Sequence, residues 1–335
     1  VAYELVALGE CLIDFTPYGV SEAGQPLYER NPGGAPVNVA AAVAKLGRRS
    51  AFVGKVGSDP FGLYLKEMLQ AHGVSPEGLL LTEEAHTTMA FVHLDEHGDR
   101  SFHFSRQPGA DQLLRADEVK ESVLEGAALF HFGSISMTAE PACGAVLHAV
   151  RKAKEAGALI SYDPNWRPSL WRDRRQAKET ILTGLAWADI VKVSEEELVF
   201  LMEDENLEAA SARLLQQYPV SLLLVTAGAA GAYYRTEQYW GKTDSFPVAA
   251  VDTTGAGDGF LGALLYRVLE SGKPLKQWSE TELNEAVVFA NAAGAWATTR
   301  KGAIPALAGL EDIDRLLSEV AGKKQSTGNS RVKEN

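Results

Sequence analysis

The chain has 335 residues, 46 % of them hydrophobic, and a formal charge of −12. That length and apolar content can fill a large α/β core, while the acidic balance argues against nucleic acid or an anionic membrane as a main partner. The only two cysteines, Cys11 and Cys143, lack metal-ligand spacing, which excludes a disulfide scaffold and a Cys-based metal centre.

In chain order, residues 4–8 predict a short buried strand ended by Gly9. Residues 12–32 hold Pro, Gly and Tyr but no helical period. Residues 36–46 predict a helix with proline in its first turn and Gly47 as its stop. Residues 51–56 predict a strand, and Asp59-Pro60 opens a helix that ends at Gly73. Across residues 87–106, two strand-forming runs, 89–94 and 100–104, flank a polar turn at 95–99, which is a hairpin signal. Strands are then predicted at 128–132, 158–162, 190–193 and 221–225, with helical patterns between them, such as 143–156 and 174–186. This alternation predicts a mainly parallel sheet covered by helices on both faces. The expectation is one α/β domain over residues 1–315. The interruptions at 12–32 and 87–106 are expected to form a small β lid over an active site. Residues 322–335 are polar and aperiodic and are expected to be a flexible tail. No signal-type stretch and no apolar run of about 18 residues is present, so a soluble cytoplasmic protein is expected.

The most informative run is Asp252-Thr253-Thr254-Gly255-Ala256-Gly257-Asp258, directly before the apolar helical pattern that starts at Gly259. Small residues at a helix start leave backbone N–H groups and a positive dipole end free for an anion such as phosphate. A second negative charge there, Asp258, suits a base that takes a proton beside a phosphate. The same spacing also fits an aspartate that only stabilises the helix start. A glycine pair, Gly33-Gly34, precedes the helix that carries Asn38, whose amide can both donate to and accept from a hydroxyl.

Three other patterns fail. His93-Leu94-Asp95-Glu96-His97 has zinc-protease spacing, but the histidines straddle a strand end and a turn rather than one helix face. Gly241-Lys242-Thr243 looks like the end of a phosphate-binding P-loop but lacks its first glycine and its helix. Glu10-Cys11-Leu12 follows the first strand where a dinucleotide fingerprint would need glycines.

Together, Gly33-Gly34-Ala35-Pro36-Val37-Asn38 and Asp252 to Asp258 resemble the two signature regions of the ribokinase (pfkB) family of sugar and nucleoside kinases. The resemblance continues at Val225-Thr226-Ala227-Gly228-Ala229-Ala230-Gly231, at Phe289-Ala290-Asn291 and at Thr299-Arg300-Lys301-Gly302-Ala303. Within the family, the chain is most similar to the fructokinases at Gly9-Glu10-Cys11-Leu12-Ile13-Asp14, Ser105-Arg106-Gln107-Pro108-Gly109-Ala110-Asp111, Asp163-Pro164-Asn165-Trp166-Arg167 and Lys192-Val193-Ser194-Glu195-Glu196-Glu197. It departs from them at Gly259, usually alanine, and at Ser105, often tyrosine.

The resemblance implies a ribokinase-like three-layer αβα sandwich with a small β-sheet lid, acting as an ATP-dependent sugar kinase. D-Fructose is the leading substrate, 2-keto-3-deoxygluconate the runner-up, and a non-catalytic sugar or nucleotide sensor the rival from another class. It implies Asp258 as general base and Gly255, Ala256 and Gly257 as the anion hole. The sugar would meet Asp14, Gly33, Gly34, Asn38, Arg106, Asn165, Arg167 and Asp258, with Arg106 closing from the lid. ATP would meet Lys192, Ser194, Thr226, Gly228, Gly231, Gly257 and Asn291. Mg²⁺ would be held through a water by Glu197, and K⁺ by carbonyls near Asp252 and Thr254. A homodimer formed through the lid also follows by resemblance.

Overall fold

The computed structural model describes residues 2–94 and 100–319; the expected turn at 95–99 and tail at 322–335 lie outside the described residues. The first half of the chain comprises β1 (Leu5–Leu8), β2 (Leu12–Val20), β3 (Pro26–Gly33), α1 (Ala35–Lys45), β4 (Ser50–Gly57), α2 (Pro60–Ala71), β5 (Val74–Thr82), β6 (Met89–Leu94) and β7 (Arg100–Ser105). It continues with α3 (Glu121–Leu124), β8 (Leu129–Gly133), α4 (Ala142–Glu155), β9 (Leu159–Asp163), α5 (Arg174–Leu185), β10 (Ile190–Ser194) and α6 (Glu195–Met202). The last part holds α7 (Leu207–Gln217), β11 (Leu222–Thr226), β12 (Ala232–Arg235), β13 (Trp240–Thr243), α8 (Ala256–Ser271) and α9 (Glu280–Ala297).

Nine strands form the main sheet in the order β13-β12-β11-β10-β9-β8-β1-β4-β5. Its pairs are parallel from β11 to β5, and β12 and β13 add an antiparallel edge. Successive strand residues face opposite sides, so Leu5, Ala7, Ile190, Leu222 and Leu224 pack with α1, α8 and α9. Val6, Leu8, Val191, Val193 and Leu223 pack instead with α4, α5, α6 and α7. The result is a helix–sheet–helix sandwich, as the alternation predicts. β5 and the β12–β13 hairpin have no counterpart among the predicted elements. Pro76 and Gly78 interrupt the first, and the other two strands are only four residues each.

The interruptions at 12–32 and 87–106 pair with each other in a second sheet of order β3-β2-β6-β7. β2 opposes β3 with Leu12 across from Gly33 and Asp14 across from Asn31. A side chain on Gly33 would run into the Asp14 carboxylate, so glycine there leaves room for it.

Two helices set the centre of the molecule. A Cβ on Gly262 of α8 would collide with that of Ala42 on α1, so the two backbones approach closely there. Asp258 lies one turn before Gly262 and Asn38 one turn before Ala42, on the same faces. The close crossing thus brings Asn38 to Asp258.

Candidate active site

The parallel strands end on one side of the sheet, where open α/β folds bind their ligands. There Glu10 follows β1, Asp163 ends β9, Lys192 and Ser194 end β10 and Thr226 ends β11. α8 starts above them. Gly255 is its N-cap residue at φ 75°, a left-handed conformation natural to glycine, and a Cβ there would crowd Ala303. Ala256, Gly257 and Asp258 form its first turn, where helix N–H groups have no intrahelical acceptor; Ala256 N donates to Thr253 O at 3.3 Å, and Asp258 is buried.

Two cavities meet at this turn. One, of about 670 Å³, takes in Asp14, Gly34, Asn38, Asn165, Arg167, Lys192, Ser194, Glu197, Thr254, Gly255, Gly257 and Asp258 from the expected set. The other, of about 460 Å³, takes in Thr226, Gly228, Gly231, Ala256, Gly257 and Asn291, with apolar walls from Phe246, Pro247, Val248 and Phe260. Thr253 and Gly257 line both. The small sheet supplies Leu12, Asp14 and Phe104 to the first cavity. Gly33 stands behind Asp14 rather than on the wall.

In the larger cavity, Asn38 Nδ2 donates to Asp258 Oδ2 at 2.8 Å, and Asn38 Oδ1 has no partner. Burial and the nearby Asp163 charge push Asp258 up to about 6, against the pull of Asn38, Lys192 and Arg167. Asp14 is pushed up to about 7, chiefly by burial, with Asp258 and Asp252 adding to it and Arg167 opposing. Asn165 takes a left-handed φ of 49°, which asparagine tolerates, and its buried Nδ2 is also without a partner. Its backbone N–H donates to Asp163 Oδ1 at 3.2 Å, and Arg167 Nη2 donates to its Oδ1 at 3.3 Å.

Lys192 Nζ donates to Asp163 Oδ2 at 3.0 Å, with both side chains nearly inaccessible. Burial alone would depress this lysine, but Asp163, Glu197 and Asp258 outweigh it and hold it above its ordinary value. The ammonium lies 3.0 Å from where a Cβ on Gly257 would stand, so it is against the amide-rich turn.

Ser194 and Glu197 form a capping box at the start of α6. Glu197 Oε1 accepts from Trp166 N at 2.7 Å and Oε2 from Ser194 N at 2.8 Å. Thr226 Oγ1 donates to Val193 O at 3.3 Å. Asn291 donates to Thr243 Oγ1 at 2.7 Å and to Asp244 O at 3.2 Å, which fixes the segment leading to the apolar wall. The Asp252 carboxylate accepts from Thr254 N at 2.7 Å and Gly302 N at 3.1 Å, tying together two loops beside the turn.

Arg106 differs from its expected place. It is buried and absent from the cavity wall. Its Nε and Nη2 donate to Asp111 Oδ2 at 2.8 and 2.6 Å, Nη1 to Thr138 Oγ1 at 2.9 Å and Nη2 to Ile135 O at 3.1 Å. The Asp111 carboxylate, five residues on, captures the guanidinium. Sequence reasoning also missed Asp163 and Glu10. Glu10 lines the larger cavity, accepts from Ala35 N at 3.0 Å and is pushed up to about 7, chiefly by burial. A charged residue at the end of an apolar strand was the available signal for both.

The sequence profile described as "pfkB family carbohydrate kinase" matches residues 3–308. The chain is 47% identical over 315 residues to a probable fructokinase-4 of Arabidopsis thaliana, covering 93% of this chain and 96% of that one. Its fold matches a fructokinase with bound ATP from Xylella fastidiosa, at TM-score 0.86 and 35% identity, over 95% of this chain and 99% of the other. It also matches a double-mutant fructokinase from Vibrio cholerae O395 with fructose, ADP and potassium ion bound, at TM-score 0.85 and 35% identity, over 94% and 99%.

Proposed function

The chain belongs to the pfkB family of carbohydrate kinases, and we propose that it is a fructokinase that moves the γ-phosphate of ATP to the primary hydroxyl of D-fructose. The observation that carries this reading is the meeting of two cavities at Thr253 and Gly257, one rich in charged and amide side chains and one largely apolar, with Asp258 in the first. The fructokinase relatives support fructose as the sugar.

On this reading the sugar lies between Asp14, Asn38, Asn165 and Arg167. The buried, unpartnered Asn38 Oδ1 is an acceptor and the buried, unpartnered Asn165 Nδ2 a donor, and on this reading small side-chain shifts let hydroxyls of a polyol pair with both. Gly33 leaves room for the Asp14 carboxylate, and Gly34 keeps the backbone close to the end of β1, since a Cβ on Gly34 would strike the Glu10 carbonyl. The purine lies against Phe246, Pro247, Val248 and Phe260, and the phosphates run past Thr226, Gly228, Gly231 and Ser194 towards Lys192. A sugar hydroxyl is a very weak acid, but in a loose phosphoryl-transfer transition state its proton can leave late. Asp258 takes that proton. The amides of Gly255, Ala256 and Gly257 and the Lys192 ammonium stabilise charge on the transferring oxygens.

The residues present fit a magnesium ion held mainly by phosphates and water. Among the described residues no group of three or more His, Cys, Asp or Glu is arranged to hold a metal, but the Glu197 carboxylate faces the larger cavity and keeps a lone pair on each oxygen. Bound there, Mg²⁺ would neutralise phosphate charge. EDTA should abolish turnover and Mg²⁺ restore it, and Glu197→Gln should raise the Mg²⁺ concentration for half-maximal rate; full activity in chelator would overturn this part. Carbonyls at Asp252 and Thr254, beside loops fixed by the Asp252 carboxylate, are the proposed K⁺ ligands.

Asp14→Ala should raise the fructose KM about tenfold or more, since charge-assisted hydrogen bonds contribute about 1.5–3 kcal/mol each, and leave the ATP KM nearly unchanged. Equal effects on both would remove Asp14 from the sugar pocket. Exposed Tyr18, Val20, Leu27 and Tyr28 on β2 and β3 make the small sheet the proposed face for a homodimer. None of the helices among the described residues is long and apolar enough to cross a membrane, and the proposed setting is the cytoplasm.

ADP release measured across D-fructose, 2-keto-3-deoxygluconate, ribose and no sugar tests the whole reading. Fructose should give the highest kcat/KM. Preference for the keto acid would reassign the substrate, and no sugar-dependent ADP with any of them would sink kinase function.

A further inference from the structure

We propose that Arg106 and Asp111 form a buried latch, a pair of positioning residues that pins the β6–β7 hairpin to the body and so sets the wall of the sugar cavity. The proposal rests on reading that cavity as the sugar site. The chain passes between the small sheet and the main fold at four points. Two are covalent neighbours of core elements: β2 follows β1 closely, and β3 runs into α1. The other two are the start of β6 and the end of β7, and both converge on one carboxylate. Thr88, just before β6, donates its hydroxyl to Asp111 Oδ1 at 2.5 Å. Arg106, just after β7, takes Asp111 Oδ2 with two N–H groups at 2.8 and 2.6 Å.

The same guanidinium reaches the opposite side. It holds Ile135 O at 3.1 Å and Thr138 Oγ1 at 2.9 Å, and Ile135 lines the sugar cavity. Thr88 O in turn accepts from Ile13 N at 3.0 Å, next to Asp14. One ion pair therefore fixes, within a few bonds, the three small-sheet residues on the cavity wall: Leu12 and Asp14 on β2, and Phe104 two residues before Arg106. Gly109 belongs to the device, because a Cβ there would collide with the Thr88 hydroxyl.

The geometry argues against direct sugar contact by Arg106. Its side chain is 3% exposed, that of Asp111 is 1% exposed, and four of the five guanidinium N–H groups are engaged, taking one per bond. A forked, planar cation fits this set of acceptors and a lysine does not.

A double-mutant cycle separates latch from ligand. Arg106→Gln, Asp111→Asn and the double variant are compared by fructose KM, ATP KM and kcat in the full chain. Each single change should raise the fructose KM about tenfold or more, because a buried pair is broken, with the ATP KM within about twofold. The double should be no worse than the worse single, because both remove the same pair. If Arg106 touched the sugar itself, its loss would raise the fructose KM far more than loss of Asp111, and such an asymmetry overturns the latch, as does multiplication of the two effects. So does an unchanged fructose KM in both singles. If these variants do not fold, Thr138→Val decides: it removes one guanidinium bond, and a raised fructose KM at unchanged ATP KM supports the latch, whereas no change overturns it. Failure of the underlying site reading is distinguishable, since the unmodified chain would then show no sugar-dependent turnover.

Discussion

Asp258→Asn should lower kcat about 10²–10⁴-fold while ATP and fructose still bind, the range typical for loss of a positioned general base. The amide keeps the shape and can still accept the Asn38 hydrogen bond made at 2.8 Å, but it cannot take the sugar proton. Loss of fold is not the expected cause. The carboxylate is buried and sits at about 6 in the folded chain, above roughly 4 for an unfolded aspartate. Between those values the native state binds more protons than the unfolded one, so this group's contribution to stability falls as pH rises through the window and stays unfavourable above it. At pH 7.5 the asparagine variant should therefore melt no lower than the parent. The parent's kcat should fall on the acid side as Asp258 takes up its proton, near its value of about 6, and the variant's residual rate should lack that limb. Near-parental kcat in the variant would show that Asp258 is not the base.

Much of this was legible in the chain because the relevant signals are local. The run from Asp252 to Asp258 announces a tight turn into a helix, and Gly255 needs its left-handed φ there. Strand–helix alternation gave the sandwich because apolar runs that face helices on both sides read the same in sequence and in structure. What stayed hidden depends on which side chains the fold pairs, whether close in the chain or far apart. Arg106 looks like a free lid cation until its partner Asp111 is seen, and Glu197 looks like a solvated acidic face until its oxygens are found capping α6 and holding Trp166 N. Asp163 opens the run Asp163-Pro164-Asn165-Trp166-Arg167, yet its weight comes from Lys192, 29 residues on, brought alongside by the pairing of β9 with β10. The antiparallel edge strands escaped because four residues are too few to display a period.

Lys192→Met should be the most damaging change outside Asp258, in activity and stability together. The side chain is 9% exposed and its partner Asp163 1%. Removing the ammonium leaves Asp163 buried without its counter-charge, and breaking such a pair costs about 3–5 kcal/mol. It also strips the amide turn of the cation that stands against Gly257, and losing one preorganised stabiliser of transition-state charge typically costs about 10²–10³ in kcat. The ATP KM should rise with it. Lys192 pulls the Asp258 value down, so its loss should move the acid limb of the rate profile to higher pH. A second change separates these effects. Asp163→Asn combined with Lys192→Met removes both charges, so thermal stability should return most of the way to that of the parent. Turnover should not return, because the phosphates still lack their cation. If the double variant recovered kcat as well as melting temperature, Lys192 would be only the counter-ion of Asp163, and the amides of Gly255 to Gly257 would have to stabilise the transferring phosphoryl group without it.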